Sequence, residues 1–235
     1  LLLLLTFFTG LFFAFFYQKA SCVDGKKNQD ETGIDCGGRC SEYCLADLAS
    51  RPLVVSEVEA LAYGVDSSDA LGSVRNQNPK AALKSATYTF TLSDAAGQVL
   101  AKQSGTFSLL PLEERTIVAL GFPVSKASVA KAELVITNEE WVAFTDFTEA
   151  PNIQVVNQQF MVLSNEAGYA EARGLVQNRS PYDVRTLSVV VIVRDAAGVA
   201  LSVNKTTMNT LEAGEQRDFR LLWPQSFPGI VATTE

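Results

Sequence analysis

The strand-like run Thr87–Leu92 closes on Asp94-Ala95-Ala96-Gly97, and about 101 residues on, Leu187–Val193 leads into Asp195-Ala196-Ala197-Gly198. Once this match is made, others fall into step. Gly72-Ser73-Val74-Arg75-Asn76 through Pro79 aligns with Gly174-Leu175-Val176-Gln177-Asn178 through Pro181, and Leu100 aligns with Leu201. Leu109 through Glu113 and Arg115 aligns with Leu211 through Glu215 and Arg217, and Val55 and Val58 sit where Val156 and Phe160 sit. A period of roughly 100 residues belongs to tandem domains, since solenoid units repeat every 20–50 residues. Any fold assigned to this chain must therefore be one that two copies can adopt. The first copy is expected over 52–149 and the second over 152–235, with a break at Glu149-Ala150-Pro151-Asn152.

Within the repeat, hydrophobic residues alternate. Thr87-Tyr88-Thr89-Phe90-Thr91-Leu92 puts Tyr, Phe and Leu on one face of a strand. The first copy reads as seven short strands, at 53–62, 70–77, 82–93, 98–108, 114–122, 130–137 and 141–147. No helical pattern long enough for a crossover separates them, which disfavours a parallel α/β sheet. The expected fold class is all-β: two tandem immunoglobulin-like antiparallel β-sandwiches after an N-terminal transmembrane helix and a small disulfide-rich segment. Domain 2 shows no counterpart of Ala132–Ile136 and Trp141–Phe144 beyond Phe227-Pro228-Gly229, so it is expected to be truncated in its last strands. Leu187–Val193 is apolar at every position but Ser188. Either it is a central strand covered on both sides, or it contacts the other domain or a partner.

Residues Leu1–Tyr17 contain no charge. As a helix rising 1.5 Å per residue this run spans roughly 25 Å, close to a bilayer core, and Tyr17 and Lys19 supply interfacial anchors. Residues 1–19 are read as a membrane anchor, with a cleaved signal peptide as the alternative. All four cysteines, Cys22, Cys36, Cys40 and Cys44, fall in the next segment, 20–50. Their spacing, with one cysteine alone and long acidic and amidic intervals, favours two disulfides over zinc. Four cysteines allow three connectivities, and spacing does not choose among them. Disulfides require an oxidising compartment, which places the bulk of the chain outside the cytoplasm. Asp24, Asn28, Asp30 and Asp35, with Glu31 as a substitute, are hard oxygen ligands among the turn glycines Gly25, Gly33, Gly37 and Gly38. They suit Ca²⁺, or alternatively Asx-turns that cap backbone amides.

The text of Cys22–Cys40 resembles a C-x-D-G-x-x-N-x-x-E-T-G-x-D-C-G-G-x-C element that recurs in bacterial surface and secreted proteins, which implies surface display. In the second repeat, Gly174–Asn178, Asp195–Gly198 and Leu211-Glu212-Ala213-Gly214-Glu215 through Phe219 resemble the bacterial FxLYD-type extracytoplasmic β-sandwich. Ala213 stands where that pattern has Pro, and the aromatic motif behind the family's name is absent. The resemblance implies a fold and a compartment, and carries no catalytic residues.

The formal net charge of −7 excludes the basic surface that nucleic acid needs. The absence of histidine removes the commonest general base and metal ligand. Trp141 and Trp223 read as core or edge aromatics. The pairs Glu113-Glu114 and Glu139-Glu140 read as solvated turn charges, because neighbours on a strand face opposite ways. Asn204-Lys205-Thr206 has the form of a glycosylation sequon. The expected function is a membrane-anchored cell-surface structural or binding ectodomain with no catalytic residues, no cofactor other than Ca²⁺, and a protein partner at the cell envelope. The alternatives are the ectodomain of an envelope sensor or assembly subunit, or the non-catalytic part of a larger surface enzyme.

Overall fold

Alternating side chains in each repeat form the inner faces of two antiparallel sheets, and the order of strands is the same in both repeats. This emerges from a computed structural model that describes residues 21–28, 30–144, 151–163 and 168–235. The anchor expected at 1–19 and the break expected near 149 lie outside the described residues. Among the described residues no helix is long and apolar enough to cross a membrane. The chain divides into two compact units, Leu1–Ser50 and Arg51–Glu235.

Among its described residues the first unit has one helix, the short α1 (Leu45–Leu48), with turns and a bridge between Gly33 and Cys36 around it. The cysteines pair as Cys22–Cys40 and Cys36–Cys44, and none is free, so the zinc alternative is set aside. The two loops interleave, because Cys36 lies inside the first and Cys44 outside it. Among its described residues apolar burial is limited to Cys44 and Leu48. Covalent closure therefore does what a core cannot do at this size.

The second unit is nearly all strand. Its first repeat comprises β1 (Val54–Tyr63), β2 (Ser67–Arg75), β3 (Ala81–Ser93), β4 (Val99–Leu109), β5 (Glu114–Phe122) and β6 (Lys131–Ala143). The second comprises β7 (Ile153–Val162), β8 (Ala170–Asn178), β9 (Val184–Arg194), β10 (Ala200–Leu211), β11 (Gln216–Trp223) and β12 (Thr233–Thr234). Four three-stranded sheets result, in the orders β1-β2-β5, β4-β3-β6, β7-β8-β11 and β10-β9-β12. Every pairing is antiparallel. Strand for strand the two halves have one topology, which the sequence repeat requires. The sixth strand differs in extent: β6 runs 13 residues along β3, whereas β12 pairs with β9 over Thr233 and Thr234.

The strands expected at 130–137 and 141–147 are one strand as far as Ala143, and the rest of the second lies outside the described residues. The residues read as a break, Asn138-Glu139-Glu140, form a bulge. Asn138 takes φ 53° and the register against β3 shifts beside it. A bulge absorbs an extra residue without ending the ladder, so turn-forming residues here did not mean a turn. Glu139 and Glu140 accordingly lie in a strand, where Glu139 accepts the Trp141 Nε1–H at 2.9 Å and Glu140 pairs with Lys84.

Each repeat has its own core between its two sheets. In the first, Phe90, Leu92, Leu83, Leu109, Val74 and Phe122 lie at its centre. In the second, Trp223 is fully buried, donates its Nε1–H to Ser202 Oγ at 3.0 Å, and meets Phe160 and Phe227 edge-on. A third cluster joins the repeats. Leu61, Leu71 and Val118, from the outer face of β1-β2-β5, pack with Ile192, Ala200 and Val203, from the outer face of the sheet around β9. Both readings of Leu187–Val193 therefore hold together. Val189, Val191 and Val193 point into their own core, while Val190 and Ile192 face the other repeat.

Candidate functional site

The polar residues that made the repeat visible all serve the backbone. Asn76 is fully buried. Its Nδ2 donates to the carbonyls of Ala81 and Leu110, and its Oδ1 accepts the Asn78 N–H. Asn178 does the same in the second repeat, donating to the carbonyls of Tyr182, Leu211 and Glu212 and accepting from Ser180. Each asparagine thus joins the end of β2 or β8 to the two loops beside it, where backbone groups would otherwise be buried without partners. Asp94 accepts the Ala96 and Gln98 N–H groups in one hairpin, and Asp195 accepts those of Ala197 and Val199 in the other. Glu113 accepts the Leu110 N–H and holds Arg115; Glu215 accepts the Glu212 N–H and holds Arg217. The Glu212 N–H, with Arg217 next, keeps the Glu215 carboxyl below its ordinary range. Position 112 shows the cost of departing from the pattern: Leu112 adopts φ 57° where the second repeat has Gly214 at φ 77°.

In the disulfide unit, three of the four expected cation ligands come together. The Asp35 carboxylate accepts the N–H groups of Asp24 and Gly25, both at 2.8 Å. Asp24 accepts the Lys26 N–H and, at 2.8 Å, the Asn28 side-chain amide. Asp30 turns away to Arg39, 3.4 Å distant, and Glu31 is buried and accepts the Asn28 N–H. Asp24 thus makes an Asx-turn with Lys26, and Asp35 caps amides from across the loop. One atom is left over: Asn28 Oδ1 is buried and accepts no hydrogen bond.

Two carboxylates that no motif singled out are the most deeply buried acids among the described residues of the second unit. Asp69, on β2, is 2% exposed, and Glu171, on β8, is 1% exposed. They are equivalent, each standing three residues before the matched glycines Gly72 and Gly174. Glu171 is held by Arg173 and Arg220, whose side chains are 52% exposed. Asp69 accepts the Gly121 N–H at 2.8 Å, and burial pushes its carboxyl up to about 6. The repeat alignment already contained this signal, but Asp and Glu at one position among Ser, Ala and Gly did not read as a site.

A cleft of about 500 Å³ opens where the repeats meet, lined by Glu59, Ala62, Lys126, Lys131, Val199 and Pro228. Burial raises the Glu59 carboxyl, and the Arg194 charge opposes that shift. Trp141 is part of the first core's margin and Trp223 the centre of the second, as core aromatics. Asn204 is half-buried, with its side-chain amide donating to the Leu222 carbonyl at 2.8 Å. No family model matches the chain, and no curated protein matches it.

Proposed function

We propose that this chain is a membrane-anchored cell-surface ectodomain that works by presenting its modules rather than by catalysis, its two repeats being immunoglobulin-like sandwiches of the FxLYD type. The observation that carries this reading is the use of the recurrent polar residues. In both repeats the asparagine, aspartate and glutamate that define the pattern hold turns together, and none is aimed into a cleft with a partner base or nucleophile. The interleaved disulfides support an oxidising compartment. In intact cells expressing the full chain, it is expected to fractionate with membranes, and externally added protease should remove residues beyond 20. Recovery in the soluble cytosolic fraction, with thiols open to alkylation, would sink the proposal.

The disulfide unit supports a second reading, a weak Ca²⁺ site at Asp24, Asn28 and Asp35. The buried Asn28 Oδ1, beside the Asp24 carboxylate that accepts its amide, is the acceptor atom such a site would use. Extracellular modules bind Ca²⁺ with dissociation constants of about 10⁻⁴–10⁻³ M. Titration of the oxidised chain with millimolar Ca²⁺ should therefore release heat that Asn28→Ala abolishes. Equal heats for the wild type and this variant would return these residues to turn formation alone.

A further inference from the structure

Asp69 lies in the joint between the repeats. Its direct cross-strand partner is Leu61, and Leu71 follows two residues along the same strand. Both leucines belong to the cluster that meets Ile192 and Val203, and side chains opposite one another, or two apart on a strand, share a face. The second repeat shows what a carboxylate here ordinarily receives. Glu171 is gripped by Arg173 and Arg220, which are cross-strand partners of each other. The equivalent cross-strand pair in the first repeat is Leu71 and Val118. The first repeat therefore has two apolar residues in place of the arginines, uses them to dock its neighbour, and retains the acid.

The charges on the surrounding elements do not replace the arginines. On the same outer faces stand Glu59 of β1, Arg75 at the far end of β2 with its cross-strand partner Glu114 of β5, Arg194 of β9 and Lys205 of β10, with Glu57 and Lys126 acting on Glu59. Arg194 is tied to Glu235 and acts on Glu59. The influences on Asp69 are burial and the Gly121 N–H, with no charged group among them. An ionised carboxylate in an apolar joint, with one backbone donor, is costly to keep there.

We propose that the joint between the two sandwiches is a proton-controlled dock, tightened when Asp69 takes up a proton and loosened when it gives the proton up. The sign follows from linkage. A carboxyl that holds its proton up to about pH 6 when docked, against an ordinary 3.8, contributes its stabilisation in full below 3.8. That contribution is lost as pH rises through about 6, and the docking equilibrium shifts by up to about 100-fold. Protonation thus shifts the two repeats toward one body, and deprotonation shifts them toward two hinged bodies.

The test uses the full oxidised chain carrying spin labels at Ser104→Cys and Thr207→Cys, introduced after the native disulfides have formed. The distribution of label separations should be narrower at pH 4 than at pH 8, with its midpoint between 4 and about 6. Asp69→Asn should be narrow at both, and Glu59→Gln should keep the wild-type midpoint. The double variant Leu71→Arg, Val118→Arg, which restores the pattern of the second repeat, should be broad at both. A wild-type distribution unchanged between pH 4 and 8 would overturn the proposal. So would an Asp69→Asn chain that broadens with the wild-type midpoint.

Discussion

Replacing Asn178 with alanine is expected to destabilise the second sandwich by about 3 kcal/mol, while the first sandwich unfolds as before. The side chain makes four hydrogen bonds, three to carbonyls from two separate loops and one from the Ser180 N–H. Alanine leaves those groups in a space too closed for water to take over, and each buried group left unpaired costs roughly 1 kcal/mol or more. Asn178→Asp should be worse at neutral pH, because a carboxylate would face three carbonyl oxygens, and should recover partly in acid. Denaturant unfolding followed by Trp223 fluorescence in a Trp141→Phe background reports on this repeat. A loss below about 1 kcal/mol would mean that the loops have other means of support.

Reduction should separate the two units of the chain. The sandwiches contain no cysteine, and Trp223, Phe90 and their neighbours form cores that thiols cannot reach. The unit holding Cys22–Cys40 and Cys36–Cys44 buries few apolar residues, so losing crosslinks of about 3 kcal/mol each should leave it unfolded. Trypsin is expected to cut after Lys26, Lys27 and Arg39 only when reductant is present, with the sandwich melting temperatures unchanged. Protection of those sites in the reduced chain would show that turns and side-chain caps suffice.

These two expectations rest on features that were legible to different degrees. The asparagines, the Asp-Ala-Ala-Gly hairpins and the Glu-x-Arg pairs were visible because local backbone geometry makes the same demand in both copies. That both halves share one strand order followed from the repeat, once the alternation in Thr87–Leu92 marked a sheet. The pairing of the cysteines was not legible, because three connectivities satisfy the same spacing. Asn138-Glu139-Glu140 misled for a physical reason: residues that favour a left-handed backbone serve a bulge as well as a turn. The joint was half visible. Val190 and Ile192 announced a covered outer face on β9, but β2, read as Ser67-Ser68-Asp69-Ala70-Leu71-Gly72-Ser73, lacks the apolar run of a doubly buried strand. Its small residues are buried because sheets close on both sides of it, a tertiary fact without a local pattern.

The way the repeats meet also decides how many can join. The contact is heterologous, the β1-β2-β5 face of one copy against the β9 face of the next, and such contacts build rings or open filaments when both faces recur in every unit. Here neither outward end can repeat it. The positions of Val190, Ile192 and Val203 are held in the first repeat by Thr89, Thr91 and Lys102, and those of Leu71 and Val118 are held in the second by Arg173 and Arg220. A duplicated unit bearing both faces would stack head to tail, and these five differences take the matching apolar face away from each outward side of the pair.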